Sequence, residues 1–457
     1  MTGAQGSGQR SGDPSTSRPC GADVAPTRTR FVDVQALAVP RVLQRERGVR
    51  LSSPWSVAAV VAVFYALLTF AGLAQNPYQF INIGRQYHAK AHSSSAINQA
   101  RPVNNKIGYD GQFYYFLAVD PKNGRDYMDE PGFIYSRIGY PMTVRALSAG
   151  NSTVIPYMMV LVNILAAVGG TLAVAFFLKR HGLPTALALL YGFFPGLVLS
   201  VLRDLTEPMA FALAAAGLLA FDPKSKRRLL LSSALFGLAM LTRETVALFP
   251  AILTLGLLVG VGTASHWRER VRVSNVLRAA AFAELAFAPL FIWRHLVETQ
   301  VLPNASTQEA FTGGHYAVSG AAGPVLSALV PFHAIAGQWP WTGYDVADLF
   351  TVFLPALIWA GFAVALLRRR LTLEPWLVLA NVAVFVVFLP TPIAVDYGSL
   401  GRASIGVLLA ALVTLPQVSI SLPERARQVR MTLALWSLPV FLVLGILLNA
   451  VGPKYVW

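Results

Sequence analysis

Asp110 is the acid whose setting in the sequence best suits proton transfer. It lies in residues 109–141, YDGQFYYFLAVDPKNGRDYMDEPGFIYSRIGYP, a polar and aromatic insert between long apolar segments. Gly111 allows the backbone to turn tightly after the acid, and the run Phe113, Tyr114, Tyr115, Phe116 is expected to give it a stiff, partly apolar wall. Such a wall raises a carboxylate's pKa and makes it a better proton acceptor. The same composition also fits a surface loop whose aromatics lie in the lipid headgroup layer.

Three further polar groups interrupt apolar sequence. The first is Arg203, Asp204, Thr206 and Glu207, followed by Pro208. Thr206 is suited to cap a helix and Pro208 to sit in its first turn, so a helix N-terminus with its positive dipole end would lie beside Arg203 and favour an anionic phosphate. Asp204 and Glu207 oppose an anion electrostatically; they fit orienting the arginines, binding a substrate hydroxyl, or holding a metal. The second group is Thr242, Arg243, Glu244 and Thr245, and the third is Asp396, Tyr397, Gly398, Gly401 and Arg402. Arginine matches phosphate through its fixed fork of donors, and Arg402 also fits a headgroup anchor at a helix end. His88, His92, His315 and His333 have no ligand spacing, and Cys20 is the only cysteine, so neither a metal site nor an intramolecular disulfide is expected.

The elements that must position these groups are apolar. The chain is 55% hydrophobic and only 13% charged, with a mean hydropathy of +0.53, far from soluble domains. Its net charge of +15 sits in short Lys and Arg clusters between apolar runs, a positive-inside pattern and not a nucleic-acid footprint. Residues 1–53 read as a disordered, basic cytoplasmic tail, with no signal peptide, and residues 54–457 as one multi-pass domain. Counting apolar runs against charge clusters predicts an all-α polytopic membrane protein of about eleven spans. They lie near 55–74, 154–178, 184–202, 208–221, 229–241, 246–261, 279–293, 346–367, 376–390, 403–415 and 431–451. The long loops 75–153 and 294–345, together with Asp110 and the three polar groups, then fall on the outer side. The runs at 208–221 and 229–241 cover about 21 Å at most, short of a hydrocarbon core of about 30 Å. Glu207 and Arg243 are therefore expected to line a wet, protein-walled cavity.

With those residues in hand, the chain resembles the GT-C superfamily of polyprenyl-phosphate-sugar-dependent glycosyltransferases, most closely its mannosyltransferase-like members. The resemblance is carried by Tyr109, Asp110, Gly111, Gln112, Phe113 and Tyr114 shortly after the first span, by Arg203, Asp204, Leu205, Thr206 and Glu207, and by Leu241, Thr242 and Arg243. It implies transfer of a sugar, such as mannose, from a polyprenyl-phosphate donor to a hydroxyl of a glycan, lipid or protein acceptor at the outer membrane face. Asp110 would be the catalytic base. Tyr109, Gln112, Tyr114, Arg203, Asp204, Glu207, Arg243, Glu244, Asp396 and Arg402 would bind substrate, with membrane lipids around them. Where that superfamily often has paired acids in its first loop, Asp110 is followed by Gly111, so no cofactor is expected and a divalent metal is not supported. The rival class is a transporter or lipid flippase, since charge within the membrane beside short helices marks those proteins as well.

Overall fold

The computed structural model describes residues 53–91, 97, 100, 102–103, 107–128, 131–260, 273–302, 352–368, 372–387 and 397–420. The tail at 1–52, Asp396, most of the second long loop and the expected span at 431–451 lie outside the described residues. What is described is helical, with one isolated antiparallel bridge between Ile83 and Gly108 and no strand.

Among the described residues three helices are long and apolar enough to cross a membrane: α1 (Pro54–Gln75), a second at Ile155–Arg180, and a third running from Val273 into a π-helical end at Val301. The 22 residues of α1 measure about 33 Å, enough for a hydrocarbon core of about 30 Å. Trp55, Val63, Leu67 and Phe70 lie exposed along it, an apolar face of the kind that lipid covers. Thr185–Gly192 and Pro195–Leu202, expected as one span, are bent by 50° at a break and count as a fourth only if taken together. Pro195 explains the break, because it starts a new helix and cannot continue the old one. The remaining apolar helices have 10–17 residues, so among the described residues length and composition support three or four spans and not the larger expected number.

The first long loop is itself built of helices: α2 (Tyr78–Ile81), α3 (Arg85–Lys90), α4 (Gly111–Val119), α5 (Pro131–Tyr135) and α6 (Gly139–Leu147). The aromatic run expected to wall Asp110 does something else. Tyr114, Tyr115 and Phe116 are buried in a core of their own with Ile81, Ile83, Tyr87, Tyr127 and Tyr140, because a helix of nearly all apolar residues has to bury most of its circumference. Leu205 and Val297 belong to the same core, which ties the insert to the polar turn at 203–206 and to the end of the third long helix. Trp293 Nε1 adds a hydrogen bond of 2.7 Å to the Tyr135 carbonyl.

Among the described residues of the remaining chain there are eleven α-helices: α7 (Ile155–Arg180), α8 (Leu189–Gly192), α9 (Pro195–Leu202), α10 (Glu207–Ala220), α11 (Lys226–Thr242), α12 (Leu248–Leu258), α13 (Val273–Leu296), α14 (Leu354–Leu367), α15 (Glu374–Val387), α16 (Tyr397–Ala403) and α17 (Ile405–Ile420). α10 packs between α7 and α11, and α9 lies on α16. At 14 residues α10 is as short as the sequence indicates. α11 is longer, at 17 residues, since Ser225 caps a first turn made by the basic residues Lys226 to Arg228. The crossing of α9 and α16 is backbone to backbone: a Cβ on Gly196 would lie 2.1 Å from the Gly401 carbonyl oxygen. Only glycine permits that approach, and it delivers Arg402 to the start of α10.

Candidate functional site

Four charged side chains from four separate elements form a line. Asp110 stands immediately before α4, and its Oδ2 is 3.5 Å from Nη1 of Arg402 on α16. Arg402 Nε is 3.5 Å from Oε1 of Glu207, the first residue of α10. The same oxygen is 3.0 Å from Nη1 of Arg243, which follows the end of α11. Burial rises sharply along this line: the Asp110 side chain is 46% exposed, Arg402 10% and Glu207 1%. The line therefore opens to solvent at Asp110 and is anchored at Glu207. A buried carboxylate without cations beside it would carry a large desolvation cost, so the two arginines are what permit Glu207 to be there.

Tyr109 collects a second pair of cations. The Arg402 and Arg203 guanidinium groups lie 5.3 Å and 5.9 Å from its ring centroid, within cation–π range. Arg203 has no carboxylate partner among the described residues, and its Nε is buried without a hydrogen bond. The turn carrying Arg203 is pressed against the Asp110 loop, where a Cβ on Gly111 would meet the Arg203 carbonyl oxygen at 2.2 Å.

Behind the line lies a second ion pair. Arg137 grips Glu244 through two hydrogen bonds, Nε to Oε2 at 3.0 Å and Nη2 to Oε1 at 2.5 Å. Its Nη1 donates to the Tyr114 hydroxyl at 3.3 Å, and its guanidinium lies 3.8 Å from the Phe133 ring centroid. Arg137 thus joins the insert that carries Tyr114 to the α11–α12 junction at Glu244, with the polar atoms of all three engaged inside the protein.

Several residues take places that the sequence does not indicate. Gln112, expected on substrate, is fully buried: its Oε1 accepts from the Gly84 N–H at 3.0 Å and its Nε2 donates to the Ile107 carbonyl at 2.9 Å. It holds the bridge between residues 83 and 108. Thr206 makes no capping bond to α10, and its Oγ1 accepts from Arg243 Nη1 at 3.4 Å. Glu207 itself occupies the first turn of α10, so the positive end of that helix is already matched by a carboxylate of this chain. Asp204 is completely buried and forms no ion pair among the described residues. Arg137 is the functional residue that sequence reasoning misses; the signal available for it is Glu244, an acid at a helix start between apolar runs that needs a cation. Among the described residues no group of three or more His, Cys, Asp or Glu side chains is arranged to hold a metal ion.

No family model, curated protein or solved structure matches this chain.

Proposed function

We propose that the protein is a membrane glycosyltransferase of the GT-C kind, with about eleven spans and its charged line on the outer face, moving a sugar such as mannose from a polyprenyl phosphate to an acceptor hydroxyl. The observation that carries this reading is the half-exposed Asp110 carboxylate beside Arg402, with Arg203 on the same tyrosine ring and lacking a carboxylate partner among the described residues. A base open to solvent next to an under-neutralised pair of arginines fits a reaction that removes a proton at one point and releases an anion at the next.

In this mechanism Asp110 accepts the proton of the acceptor hydroxyl as that oxygen bonds to the anomeric carbon of the sugar. The bond from the anomeric carbon to the phosphate oxygen breaks, and its electron pair leaves with the lipid phosphate. Arg402 and Arg203 meet the charge growing on that phosphate, a role that fixed donors in a dry site perform with little reorganisation. Glu207, itself paired with Arg243, holds Arg402 in place from behind. A glycan, a lipid or a protein can each serve as acceptor by chemistry alone, since only its hydroxyl enters the reaction.

One observation favours a transporter or flippase: the 50° break between α8 and α9, since broken helices line substrate paths in such proteins. Incubating the purified protein with a panel of polyprenyl-phosphate sugars and acceptors separates the two. Release of lipid phosphate with formation of a glycoside supports the transferase; movement of intact lipid-linked sugar between leaflets of a vesicle, with no glycoside formed, refutes it.

A further inference from the structure

α13 has two unlike faces. Asn275, Ala279, Phe282, Ala286 and Leu290 are buried, with Phe282 against the rings of Phe221 and Phe236 and the backbone at Leu285 and Ala286 against Gly237 of α11. The other face carries Leu277, Ala281, Glu284, Ala288 and Phe291, all exposed except the partly covered Ala288. Glu284 is two residues from both Phe282 and Ala286, which turns it about 160° away from each round the helix.

α13 belongs to one of the helices long and apolar enough to cross a membrane, and Glu284 is the one charged residue in its apolar stretch between Arg278 and Arg294. It lies about 9 Å of helix beyond Arg278, and a glutamate side chain is too short to return its charge to the headgroups over that distance as a lysine or arginine would. The positions three and four residues away are Ala280, Ala281, Phe287 and Ala288, so its own helix supplies no cation. No ion pair to Glu284 forms among the described residues. An ionisable residue facing lipid is costly and as a rule meets a partner. The stripe around it has the spacing of a helix-packing seam: its five residues recur at intervals of four, three, four and three. The two alanines let another backbone come close, and small residues flanking a polar one are what helix contacts in membranes use.

We propose that this face of α13 docks a transmembrane helix of another protein that carries a lysine or arginine at the depth of Glu284. Charge decides between the occupants. A second copy packed through the same face about a two-fold axis along the membrane normal sets Glu284 against Glu284, with no cation at that depth. The expected span at 431–451 contains no Lys, Arg or His, so it offers no cation either. A basic partner helix answers the carboxylate, and its own cation is relieved of the same cost in lipid. The docked face is not the one that holds the insert: Trp293, which donates to the Tyr135 carbonyl, is nine residues on and so lies on the opposite side of the helix. This inference rests on α13 crossing a membrane and not on the proposed reaction.

The test uses the full-length protein in phosphatidylcholine bilayers, with a photocrosslinking amino acid in place of Phe291. The probes are synthetic membrane-spanning peptides of leucine and alanine with one lysine placed at successive depths, and one peptide with leucine in its place. The peptide whose lysine matches the depth of Glu284 should crosslink about tenfold more than the leucine peptide, the scale of one polar contact between membrane helices. Glu284→Leu should reduce it to the leucine-peptide level, and Glu284→Asp should retain the preference. Because residue 284 faces lipid, Glu284→Leu should unfold at or above the wild-type temperature, which separates lost docking from lost fold. Equal capture of lysine and leucine peptides, capture unaffected by Glu284→Leu, or crosslinks only between copies of this chain or within one copy overturns the proposal. So does a lower unfolding temperature in Glu284→Leu, since the residue would then serve this chain's own fold. Glycosyl transfer enters none of these measurements, so the inference and the proposed reaction fail separately.

Discussion

Gly111→Ala tests whether the contact between the Asp110 loop and the Arg203 turn sets the geometry of the site. The added Cβ would lie 2.2 Å from the Arg203 carbonyl oxygen and 3.2 Å from that of Ile81. Both neighbours are backbone, so no side chain can swing aside. Opening the first contact to 3.4 Å, where ordinary van der Waals contact begins, separates the two segments by about 1.2 Å. That displacement falls between Asp110 and Arg203, which the proposed reaction needs on opposite sides of one anomeric carbon. A misplacement of about 1 Å costs on the order of 100-fold in rate, whereas overpacking of this kind costs about 1–3 kcal/mol in stability. The assay is single-turnover release of lipid phosphate at saturating donor, with thermal unfolding followed in parallel. Gly169→Ala is the control, since its Cβ would meet nothing within 4 Å on α7. A Gly111→Ala protein turning over within about threefold of wild type would refute the reasoning, because the site would then tolerate the displacement.

Asp110→Asn removes the proposed proton acceptor and should lower turnover by about 100- to 10,000-fold with little change in unfolding temperature. Asp120→Asn should not, because the Asp120 carboxylate is occupied locally by Asn123 at 3.1 Å and the Tyr127 hydroxyl at 3.1 Å; normal turnover in the first and loss in the second would move the base along the insert. Arg243→Lys keeps a charge, but on a flexible stem whose ammonium is not held in a planar guanidinium, so the nitrogen that meets both Glu207 at 3.0 Å and Thr206 at 3.4 Å loses its fixed position; turnover should fall by at least about tenfold, and near-normal rates would show that any cation suffices at this position. Arg137→Ala strands Glu244, and for a pair this buried the loss should be about 3 kcal/mol, the lower end of the usual range because Glu244 is 25% exposed; an unfolding temperature unchanged from wild type would dismiss the pair as a strut.

The coarse character of the chain was legible because it depends on sums. Apolar runs bounded by charge locate α1, α7 and α10 to within about two residues, a margin usual for helix ends. The break at Pro195 is hidden in the sequence, since Phe193 and Phe194 keep hydropathy high across it and a hydropathy window does not register a bend. Asp110, Glu207, Arg243 and Arg402 were legible as polar residues in apolar surroundings, and the structure brings these four together. Their neighbours were not legible, because direction decides their roles and type alone does not give it. Asp204 and Glu207 are three residues apart, yet the left-handed backbone at Asp204 sends one acid into the core while the other meets two arginines. Gln112 belongs to the same motif as Asp110 but begins the buried side of α4.

The gradient of exposure along the charged line gives Arg402 two unequal partners. At 3.5 Å the attraction between unit charges is about 5 kcal/mol at an effective dielectric constant near 20 and about 1 kcal/mol in water. Glu207, buried to 1% exposure, lies near the first limit; Asp110, 46% exposed, lies nearer the second. Arg402 is thus held firmly on one side and loosely on the other. In the proposed reaction an incoming phosphate would replace Asp110 at Arg402 while Glu207 keeps the guanidinium in place. The same exchange would free the Asp110 carboxylate from Arg402 at the moment an acceptor hydroxyl needs a base. Reversing the gradient would defeat both effects: a phosphate could not displace a buried Asp110, and an exposed Glu207 could not fix the arginine against the pull of the leaving group.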